Sequence, residues 1–501
     1  MSDGDAAPLS RRTFLARTAA VTAAMTTATS EAEAQRQPEA SRREGRPNVL
    51  VFLTDDHGQW ATGCYGSPDL NTPAMDYLAR TGARMASAYT PCPVCSPARA
   101  SFWTGRLPSQ HAIHDWIHEP SHPQTWLKEE TPTLAQILKT AGYHTGFVGK
   151  WHVGQSWVPQ PGFDYYLGED KEQYPHRGLC RFAENGQTVE HFGQRSAFVT
   201  ERALRFLKDR DRETPFFLFV GYTDTHSPFT QHPERLVRRY PEGAFTAVPN
   251  ETYAGTAKVR AAMPTDPEKR REHLAQYHAS VEYIDEQVGA VLDALEAEGV
   301  LDDTLVVYTS DHGHMNGHHG LYAKGNATAP QNFFEESIRV PCLLRWPSRV
   351  AAGGVRTEPV DHCDLFQTLL DAAGARETGE AAARRNSPGH SYLPLLSSGP
   401  GNRPWRDAWY CEYGNARMVR RGRFKLVARY APHSGDELYD LEADPRETTN
   451  RIGDPALEGE VATLRARLDA FFAGHETPGR TGRDPMPEFN RKASPWSPTA
   501  A

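Results

Sequence analysis

Four short apolar runs, each ending in charged or imidazole side chains, constrain the fold of this chain more than any other feature. The runs occupy 48–58, 143–152, 214–226 and 303–313, and segments with helical periodicity separate them. Short continuous apolar strands that alternate with amphipathic helices favour a sheet covered by helices on both faces. We therefore predict an α/β fold built on a large, mostly parallel sheet.

The ends of these runs supply candidate ligand and catalytic residues. Ligands of parallel sheets bind beyond the carboxyl ends of the strands, so we expect these side chains to meet at one edge of the sheet. They are, in chain order, Asp55, Asp56 and His57; Lys150 and His152; Asp224 and His226; and Asp311 and His312.

Composition narrows the class of ligand. A formal net charge of -8 over 501 residues gives no reason to expect a nucleic acid or an anionic membrane as a partner. An anion must therefore be held by a local site. The seven cysteines are too few and too scattered for a disulfide framework, and their odd number leaves room for one cysteine with a separate task.

The N-terminal segment has the features of an export signal. Arg11 and Arg12 precede an apolar Ala/Thr-rich run, which predicts a twin-arginine signal peptide over 1–34 and the twin-arginine translocon as a partner. No later run reaches the roughly 20 apolar residues that a membrane span needs. We expect a bacterial protein that is periplasmic or secreted and has no stable membrane span.

The remaining boundaries follow from changes in sequence character. Past about residue 375, short strand-like runs with Gly-containing turns and one helix predict a small antiparallel subdomain. The predicted division is a signal peptide over 1–34, a linker over 35–46, a catalytic α/β domain over 47–375, a C-terminal subdomain over 376–480 and a tail over 481–501.

Two acidic pairs at strand ends predict a metal site. Adjacent residues of an extended chain point to opposite sides, so Asp55 and Asp56 can bind one ion only if the chain turns there. Carboxylate oxygens suit calcium or magnesium, and a single imidazole excludes neither ion. The second pair is Asp311 and His312, at the end of another predicted strand. Each pair alone is typical of solvated loop residues, but the two pairs together at strand ends favour a metal site.

Cationic and imidazole side chains at neighbouring strand ends predict an anion site. Lys150 and His152 are two residues apart and share one face of an extended segment. Such a pair can bind an oxyanion or donate a proton to a leaving oxygen. His226 and Lys324 are candidates to join them, although each alone is typical of a hydrogen-bonded or surface residue.

Cys95 directly precedes a predicted short helix. Ser96 is a favourable N-cap, Pro97 a favourable first helical residue, and Gly105 a favourable end. The Cys95 side chain would then lie at a helix N-terminus, where an anion is stabilised, with Arg99 close by. As a bare thiol it is a nucleophile candidate, although a free cysteine is most often simply buried.

Cys92 and Cys95 also form a C-x-x-C pair. Such a pair occurs in redox dithiols and as half of a zinc site. No second C-x-x-C follows it, which weakens the zinc interpretation. A redox protein that uses both thiols remains an alternative. Activity that persists after replacement of Cys92 would exclude it.

Two segments together resemble the signatures of a known enzyme family. The segment "PVCSPARASFWTG" contains Cys-x-Pro-x-Arg, the core of the first sulfatase signature, and "GYHTGFVGKWH" over 142–152 is similar to the second. With the upstream Asp-Asp and the downstream "SDHG", the chain is identified as a member of the type I sulfatases of the alkaline phosphatase superfamily. The resemblance covers roughly 47–350, and "ELYDLEADPRE" is similar to the family's C-terminal subdomain.

This resemblance implies a covalent mechanism. In the family the motif cysteine is oxidised to formylglycine by a formylglycine-generating enzyme, which implies that Cys95 becomes a hydrated aldehyde. One hydroxyl of the hydrate attacks sulfur to form a sulfate ester, and the other then loses its proton and expels sulfate. The implied roles, position by position, are calcium binding by Asp55, Asp56, modified Cys95, Asp311 and His312, and sulfate binding, diol positioning and leaving-group protonation by Arg99, Lys150, His152, His226 and Lys324.

Two positions depart from the common family pattern. Many members have serine at the position of Ala98 and asparagine at that of His312. The histidine and its spacing to Lys324 resemble the iduronate-2-sulfatase-like branch. The sulfatase resemblance implies calcium as the metal, with magnesium less favoured. The implied roles of His312 and Lys324 depend most on the iduronate-2-sulfatase-like branch.

The non-sulfate part of the substrate is the least constrained. The segment 106–122 offers His111, His114, Asp115 and Trp116 close behind the Cys95 helix, as a loop for a sugar or as a histidine-rich surface loop. Export favours a sulfated glycan as substrate, with a small aryl sulfate second. The rivals are a phosphodiesterase or phosphonate monoester hydrolase of the same superfamily and a non-catalytic binder of sulfated glycans.

Overall fold

The predicted strands lie side by side at the centre of one large sheet. The computed structural model describes residues 45–117, 132–169, 175–241, 244–397 and 404–483. All elements given below belong to one unit, Arg46–Ala501; of the preceding unit, only Gly45 is described. The predicted signal peptide, nearly all of the linker and most of the tail lie outside the described residues.

The large sheet has ten strands. From one edge to the other they are β14 (Gly354–Arg356), β2 (Ala83–Met85), β13 (Cys342–Arg345), β10 (Thr304–Ser310), β1 (Asn48–Thr54), β8 (Phe216–Gly221), β4 (His144–Gly149), β5 (Tyr165–Glu169), β6 (Arg177–Glu184) and β7 (Gln187–Gln194).

The five central strands, from β10 to β5, run parallel to one another. Strand β13 pairs antiparallel with β10, β6 pairs antiparallel with β5, and β7 pairs antiparallel with β6. The sheet is therefore mixed but mostly parallel, which confirms the predicted fold class. In the β1–β10 register, Thr54 pairs with Ser310. The predicted polar ends of these two strands therefore leave the sheet at the same level.

Shorter strands lie outside the large sheet. The pairs are β3 (Ala88–Tyr89) with β15 (Val360–Asp361), and β9 (Lys258–Val259) with β12 (Thr328–Ala329), while β11 covers Asn316–His319. The described α-helices are α1 (Pro73–Thr81), α2 (Cys95–Thr104), α3 (Pro108–His111), α4 (Leu134–Thr140), α5 (Arg195–Asp209), α6 (Glu234–Val237), α7 (Pro267–Ala297), α8 (Glu335–Ile338), α9 (His362–Ala372), α10 (Gly379–Arg385), α11 (Leu393–Leu396) and α12 (Glu458–His475). Within the described ranges, three 3-10 helices cover Gly63–Tyr65, Gly325–Ala327 and Pro455–Leu457.

Helices cover both faces of the large sheet. Alternate residues of a strand point to opposite faces. Val49 and Val51 of β1 pack in a core with Phe102 of α2 and with α4 and α9. Leu50 and Phe52 pack in a second core with α1, α5 and α7. Because β1 is buried on both faces, its sequence is a continuous apolar run.

The C-terminal part forms a second, antiparallel sheet. Its strands are β16 (Ala408–Tyr413), β17 (Ala416–Arg421), β18 (Phe424–Arg429) and β19 (Glu437–Asp440), in that order. Helix α12 packs on it through Leu464, Leu468 and Phe472. Trp409 stacks on Tyr89 at 3.8 Å between ring centroids, which joins this sheet to the segment before Cys95.

None of the described helices combines the length and the apolar character needed to cross a bilayer.

Candidate active site

A turn at the end of β1 brings two carboxylates to one place. Asp56 has a φ of 59°, in the left-handed region, so the chain bends directly after Asp55. The turn is held by the Tyr277 hydroxyl, which donates to the Asp56 carbonyl at 2.9 Å, and by the Thr225 hydroxyl, which donates to the Asp55 carbonyl. The condition for a shared ion at Asp55 and Asp56 is therefore met.

Four predicted metal ligands form one buried group. Donor atoms of Asp55, Asp56, Cys95 and His312 all lie within 4.8 Å of one another. Two ligands that each lie about 2.3–2.6 Å from one calcium ion are separated by no more than roughly 5 Å. The group therefore fits a single cation of this size.

Asp311, the fifth predicted ligand, lies beside this group. Its Oδ1 accepts from the His312 N–H at 2.9 Å and lies 3.4 Å from His312 Nε2. Its Oδ2 accepts from Arg99 Nε at 2.9 Å. Asp311 thus links the carboxylate group to the predicted sulfate-binding arginine.

The His312 ring is oriented so that its second nitrogen faces Cys95. Its Nδ1 lies 2.9 Å from the Gly313 carbonyl, which can only accept a hydrogen bond. Nδ1 therefore donates to that carbonyl, and Nε2, 3.2 Å from Cys95 Sγ, is the nitrogen available to a metal ion. This is the tautomer that a metal-binding imidazole needs.

Three cationic side chains surround the same group. Lys150 Nζ pairs with Asp55 Oδ2, and Lys324 Nζ lies 2.6 Å from Asp56 Oδ1 and 3.1 Å from Cys95 Sγ. Arg99 also donates to the Lys150 carbonyl at 2.9 Å. The structure therefore brings Arg99, Lys150 and Lys324 to Cys95 from three separate segments.

These charges shift the pKa values of the carboxyl groups differently. Burial by itself raises the pKa of Asp55, but the charges of Lys150, His226 and Arg99 hold it well below its usual range. For Asp56, burial outweighs the opposing charge of Lys324, and the net pKa is raised. Asp55 is thus the more strongly acidic of the two.

The ammonium groups keep their protons for the same electrostatic reason. Burial lowers the pKa of Lys324, but the carboxylates of Asp56 and Asp55 raise it well above the usual lysine value. The pKa of Lys150 is likewise raised by Asp55 against the effect of burial. Both side chains are therefore fixed positive charges at neutral pH.

The two predicted histidines occupy different positions. His226 Nε2 is 3.8 Å from Asp56 Oδ2, and its Nδ1 lies 2.6 Å from the Ser227 carbonyl. His152 has a φ of 55° and places Nε2 3.0 Å from the Ile117 carbonyl. His226 is 17 % exposed, whereas the other predicted metal and catalytic residues are buried, so the site is most accessible beside His226.

The Cys95 helix begins two residues earlier than predicted. Helix α2 starts at Cys95 itself, Val94 occupies the N-cap position, and Gly105 ends the helix with a φ of 63°. Ser96 is not the cap, because its hydroxyl accepts from the Ile117 N–H at 2.9 Å. Cys95 nonetheless lies in the first turn of α2, where backbone N–H groups favour an anion.

The unmodified Cys95 side chain is not an activated nucleophile. Burial raises the pKa of its thiol, and the nearby Asp55 carboxylate adds to that effect. The pKa of Cys92 is raised well above its usual value, mainly by burial in the core next to the C-terminal sheet. Both thiols are buried, whereas the reactive cysteine of a redox dithiol is partly exposed.

Three residues proposed for a substrate loop are bound inside the protein. His111 lies 3.1 Å from the Ser101 hydroxyl, and His114 lies 3.1 Å from the Arg480 carbonyl. Asp115 accepts from the Tyr413 hydroxyl at 2.7 Å, and burial raises its pKa to about 7. These three buried groups contact the protein instead of an open surface, whereas Trp116 is half-buried. The remainder of the predicted loop, 118–122, lies outside the described residues.

Comparison with known proteins identifies the chain. A family model described as Sulfatase matches residues 47–375, well over half of the sequence. A second model, described as N-sulphoglucosamine sulphohydrolase, C-terminal, matches residues 317–473.

The chain belongs to the sulfatase family.

Individual relatives agree with this assignment. The sulfatase is 29 % identical over 465 residues to a choline-sulfatase from Rhizobium meliloti, and the aligned region covers 85 % of this chain and 86 % of the choline-sulfatase. It is 27 % identical over 490 residues to an N-acetylglucosamine-6-O-sulfatase from Bacteroides thetaiotaomicron, and the aligned region covers 81 % of this chain and 83 % of that relative. A solved structure of a protein with its substrate D-glucosamine-2-N,6-O-disulfate has a TM-score of 0.75 and 25 % identity, covering 88 % and 100 %. The protein is therefore a sulfuric ester hydrolase.

One buried histidine of the sulfatase, close to Asp56, was not predicted from the sequence. His314 lies two residues beyond His312, with Nδ1 3.6 Å from Asp56 Oδ2, and its ring stacks on Tyr277 at 5.2 Å. Neither ring nitrogen has a hydrogen-bond partner among the described residues. The only signal in the sequence is the spacing of "DHGH", which gives no reason to prefer His314 over neighbouring histidines.

Proposed function

We propose that this sulfatase hydrolyses the sulfate ester of a glycan through a formylglycine derived from Cys95, with a calcium ion bound beside it. One observation carries this proposal: Cys95 Sγ lies within 3.1–3.4 Å of Lys324 Nζ, His312 Nε2 and Asp55 Oδ1 at a helix N-terminus. Residue 95 therefore contacts both a cationic side chain, which can bind a sulfate ester, and the candidate ligands of a metal ion.

The donor set supports calcium as the metal. Asp55, Asp56 and the oxygen of a modified residue 95 would hold the ion, together with His312 and the adjacent Asp311. Two or three carboxylates give the hard oxygen ligands that calcium and magnesium prefer, and a spread of up to 4.8 Å suits the longer calcium bonds. A bound calcium would supply positive charge next to the sulfate oxygens.

The protein's own side chains account for sulfate binding. Arg99, Lys150 and Lys324 present fixed positive charges around residue 95, and the first turn of α2 adds backbone N–H groups. A formylglycine at position 95 would supply, as its hydrate, one hydroxyl to attack sulfur and a second that permits sulfate release. The attack would break the S–O bond to the alcohol, whose leaving oxygen needs a proton, before sulfate is released from residue 95.

Lys324 is placed to donate that proton, because its ammonium group lies 3.1 Å from Cys95 Sγ and keeps its proton at neutral pH. His226 lies on the accessible side of the site, but burial lowers the pKa of its ring well below the usual value and its Nδ1 faces the Ser227 carbonyl. We assign leaving-group protonation to Lys324, sulfate binding to His226 and orientation of the hydrate to His152. These assignments are supported by position, and the reaction class follows from the family.

A glycan is the proposed alcohol part of the substrate. The N-acetylglucosamine-6-O-sulfatase and the glucosamine disulfate complex show that related proteins act on sulfated sugars. A sulfated sugar is also the kind of external substrate that fits export. We propose that 1–34 directs folded protein through the twin-arginine translocon after Cys95 has been converted by its maturation enzyme, and that 47–375 and 376–480 form the catalytic domain and C-terminal subdomain.

A substrate panel tests the proposed activity. Formylglycine-bearing protein, with and without calcium, is assayed on 4-nitrophenyl sulfate, choline sulfate, a series of monosulfated hexoses and hexosamines, and bis(4-nitrophenyl) phosphate. We expect sulfate esters, including at least one sugar sulfate, to be cleaved faster than the phosphate diester. Faster diester hydrolysis would establish the phosphodiesterase alternative, and binding without turnover would establish the non-catalytic one.

A further inference from the structure

A buried group of ionisable side chains lies next to the backbone of His226. Its members are Glu169 at the end of β5, His176 just before β6, Arg195 at the start of α5 and Asp224 shortly after β8. None of the four has a role in the proposed metal or sulfate site. Because buried charges are costly unless they are paired, the contacts within this group indicate what it does.

His176 contacts the backbone of His226 directly. Its Nε2 lies 3.0 Å from the His226 carbonyl. A carbonyl oxygen can only accept, so Nε2 donates this hydrogen bond. At the other nitrogen of the ring, Arg195 Nη2 lies 2.8 Å from Nδ1, and a guanidinium can only donate. The His176 ring therefore bridges the Arg195 side chain and the backbone of His226.

Two carboxylates hold Arg195 in place. Its Nε lies 3.9 Å from Glu169 Oε1 and 3.9 Å from Asp224 Oδ2. Burial lowers the pKa of Arg195, but these two carboxylates raise it above the usual arginine value. Burial raises the pKa of Asp224, but His176 and Arg195 hold it below its usual range. Arg195 and Asp224 are therefore oppositely charged at neutral pH, and their attraction is strengthened by the exclusion of water.

Neighbouring side chains fix the His176 ring and the Asp224 carboxylate. His232 packs on the His176 ring at 4.4 Å between centroids, with 31° between the ring planes. The Ser196 hydroxyl donates to Asp224 Oδ2. The group is thus held by elements on several sides of the segment that follows β8.

That segment has contacts with both the buried group and the active site. Asp224 belongs to the buried group, whereas the Thr225 hydroxyl donates to the Asp55 carbonyl. The next side chain, His226, places Nε2 3.8 Å from Asp56 Oδ2 and is 17 % exposed, more than the other predicted metal and catalytic residues. Because less of this side chain is enclosed by packing, its position depends more on the backbone that carries it.

We propose that His176, held by Arg195 and Asp224, is a positioning residue that fixes His226 at the sulfate site. The inference rests on the proposed sulfatase function, in which His226 binds sulfate. His176 acts through the His226 backbone and does not itself touch the substrate. A displacement of about 1 Å in an active site can cost roughly 10²-fold in rate. Loss of the His176 donor should therefore slow hydrolysis even though every sulfate-binding side chain is still present.

The first test compares two replacements of His176. In formylglycine-bearing protein, His176→Ala should lower kcat/KM on 4-nitrophenyl sulfate by roughly 10-fold or more. His176→Gln keeps an amide N–H that can donate to the same carbonyl, so it should recover most of that loss. His191→Ala is the matched control, because His191 of β7 packs on Phe198 and should leave kcat/KM unchanged. Wild-type kcat/KM in folded His176→Ala, or equal losses in the alanine and glutamine variants, would overturn the proposal.

The second test asks whether His176 acts through His226. The value of kcat/KM is measured for His226→Ala and for the double variant with His176→Ala. The effects of two residues that act as a unit do not add, so removing His176 should change kcat/KM by less than about 2-fold once His226 is alanine. A further loss as large as that of His176→Ala alone would overturn the proposal.

A third replacement keeps both tests decisive if the alanine variant does not fold. His176→Asn retains a polar side chain, but its amide is one bond too short to reach the His226 carbonyl, so it should lose activity as His176→Ala does. Wild-type kcat/KM in His176→Asn would overturn the proposal. Absence of any sulfate ester hydrolysis by the wild-type protein would instead refute the proposed function.

Discussion

Lys324 reaches the active site from a segment outside the two sulfatase signatures. Its ammonium group pairs with Asp56 at 2.6 Å and lies 3.1 Å from Cys95 Sγ, in a buried position. A fixed charge at this distance can stabilise the negative charge that develops on sulfate and its leaving oxygen. The assignment therefore makes Lys324 a catalytic residue, and not only a partner for Asp56.

Replacing this ammonium should slow catalysis more than it weakens the fold. We expect Lys324→Ala to reduce kcat on 4-nitrophenyl sulfate by roughly 10²–10³-fold, the usual cost of losing one charge-stabilising donor. Lys139→Ala is the control, because Lys139 pairs with Asp164 at the surface. If Lys324→Ala keeps wild-type kcat while only its thermal stability falls, the catalytic role is wrong.

Asp56 should show its role through metal binding. Calcium that binds the folded protein and not the unfolded chain stabilises by about 2.7 kcal/mol at 100 times its Kd. We therefore expect added calcium to raise the Tm of the wild type, and Asp56→Asn to lose most of that rise because a carboxylate ligand is removed. Differential scanning calorimetry with calcium and with a chelator measures both. An identical rise in the variant would contradict the assignment.

At the scale of elements, the four strand ends were predictable and their surroundings were not. A continuous apolar run followed by Asp55 or Asp311 marks a buried strand that ends at a ligand site, and the sheet places both ends together. Contacts distant in sequence escape such reasoning. Ser96 is not an N-cap, because its hydroxyl accepts a hydrogen bond from the Ile117 N–H. The buried His114 is hydrogen-bonded to the carbonyl of Arg480, which is 366 residues away in the sequence.

The segment after α3 is fixed to the C-terminal sheet by Asp115. Its carboxyl group accepts from Tyr413 of β16, and burial raises its pKa to about 7. A pKa raised above the unfolded value of about 3.9 means that the folded state binds the proton more tightly. The stability from this group is therefore fully present below about pH 4 and is lost as pH rises through 7.

Asp115→Asn removes this titration without removing the hydrogen-bonding group. We expect the Tm of the wild type relative to Asp115→Asn to fall as pH increases from 5 to 8, since only the wild type must bury a charge there. The comparison at each pH cancels the titration of other groups. A difference in Tm that stays constant across this range would show that Asp115 is ionised throughout.

For the whole molecule, a buried charge network joins the C-terminal sheet to α8. Lys425 of β18 is fully buried and pairs with Glu335 of α8 at 2.8 Å and with Glu447 at 2.6 Å. Neither the composition nor the strand pattern predicts this contact, because its members are far apart in sequence. It connects the C-terminal sheet to the segment that follows Lys324.

Breaking this network should destabilise the whole protein. Lys425→Met leaves the buried Glu447 carboxylate without its cation and removes one of the cations that pair with Glu335, so we expect the free energy of unfolding to drop by about 3–5 kcal/mol. Arg421→Met is the control, because Arg421 pairs with Asp407 at the surface, where such pairs contribute about 1 kcal/mol or less. Urea denaturation of both variants measures the difference. Equal, small losses would show that the two parts of the chain do not depend on this contact.

The central claim is that Cys95 is the precursor of the nucleophile. The buried thiol has a raised pKa, yet it lies among metal ligands and sulfate-binding cations, so its position suits an oxygen nucleophile better than a thiolate. Mass spectrometry of the peptide that contains Cys95, from protein made in its native host, measures this directly. Conversion of the thiol to an aldehyde lowers the peptide mass by about 18 Da, and we expect that loss to accompany sulfate ester hydrolysis. An unmodified Cys95 peptide from protein that hydrolyses sulfate esters would contradict the account.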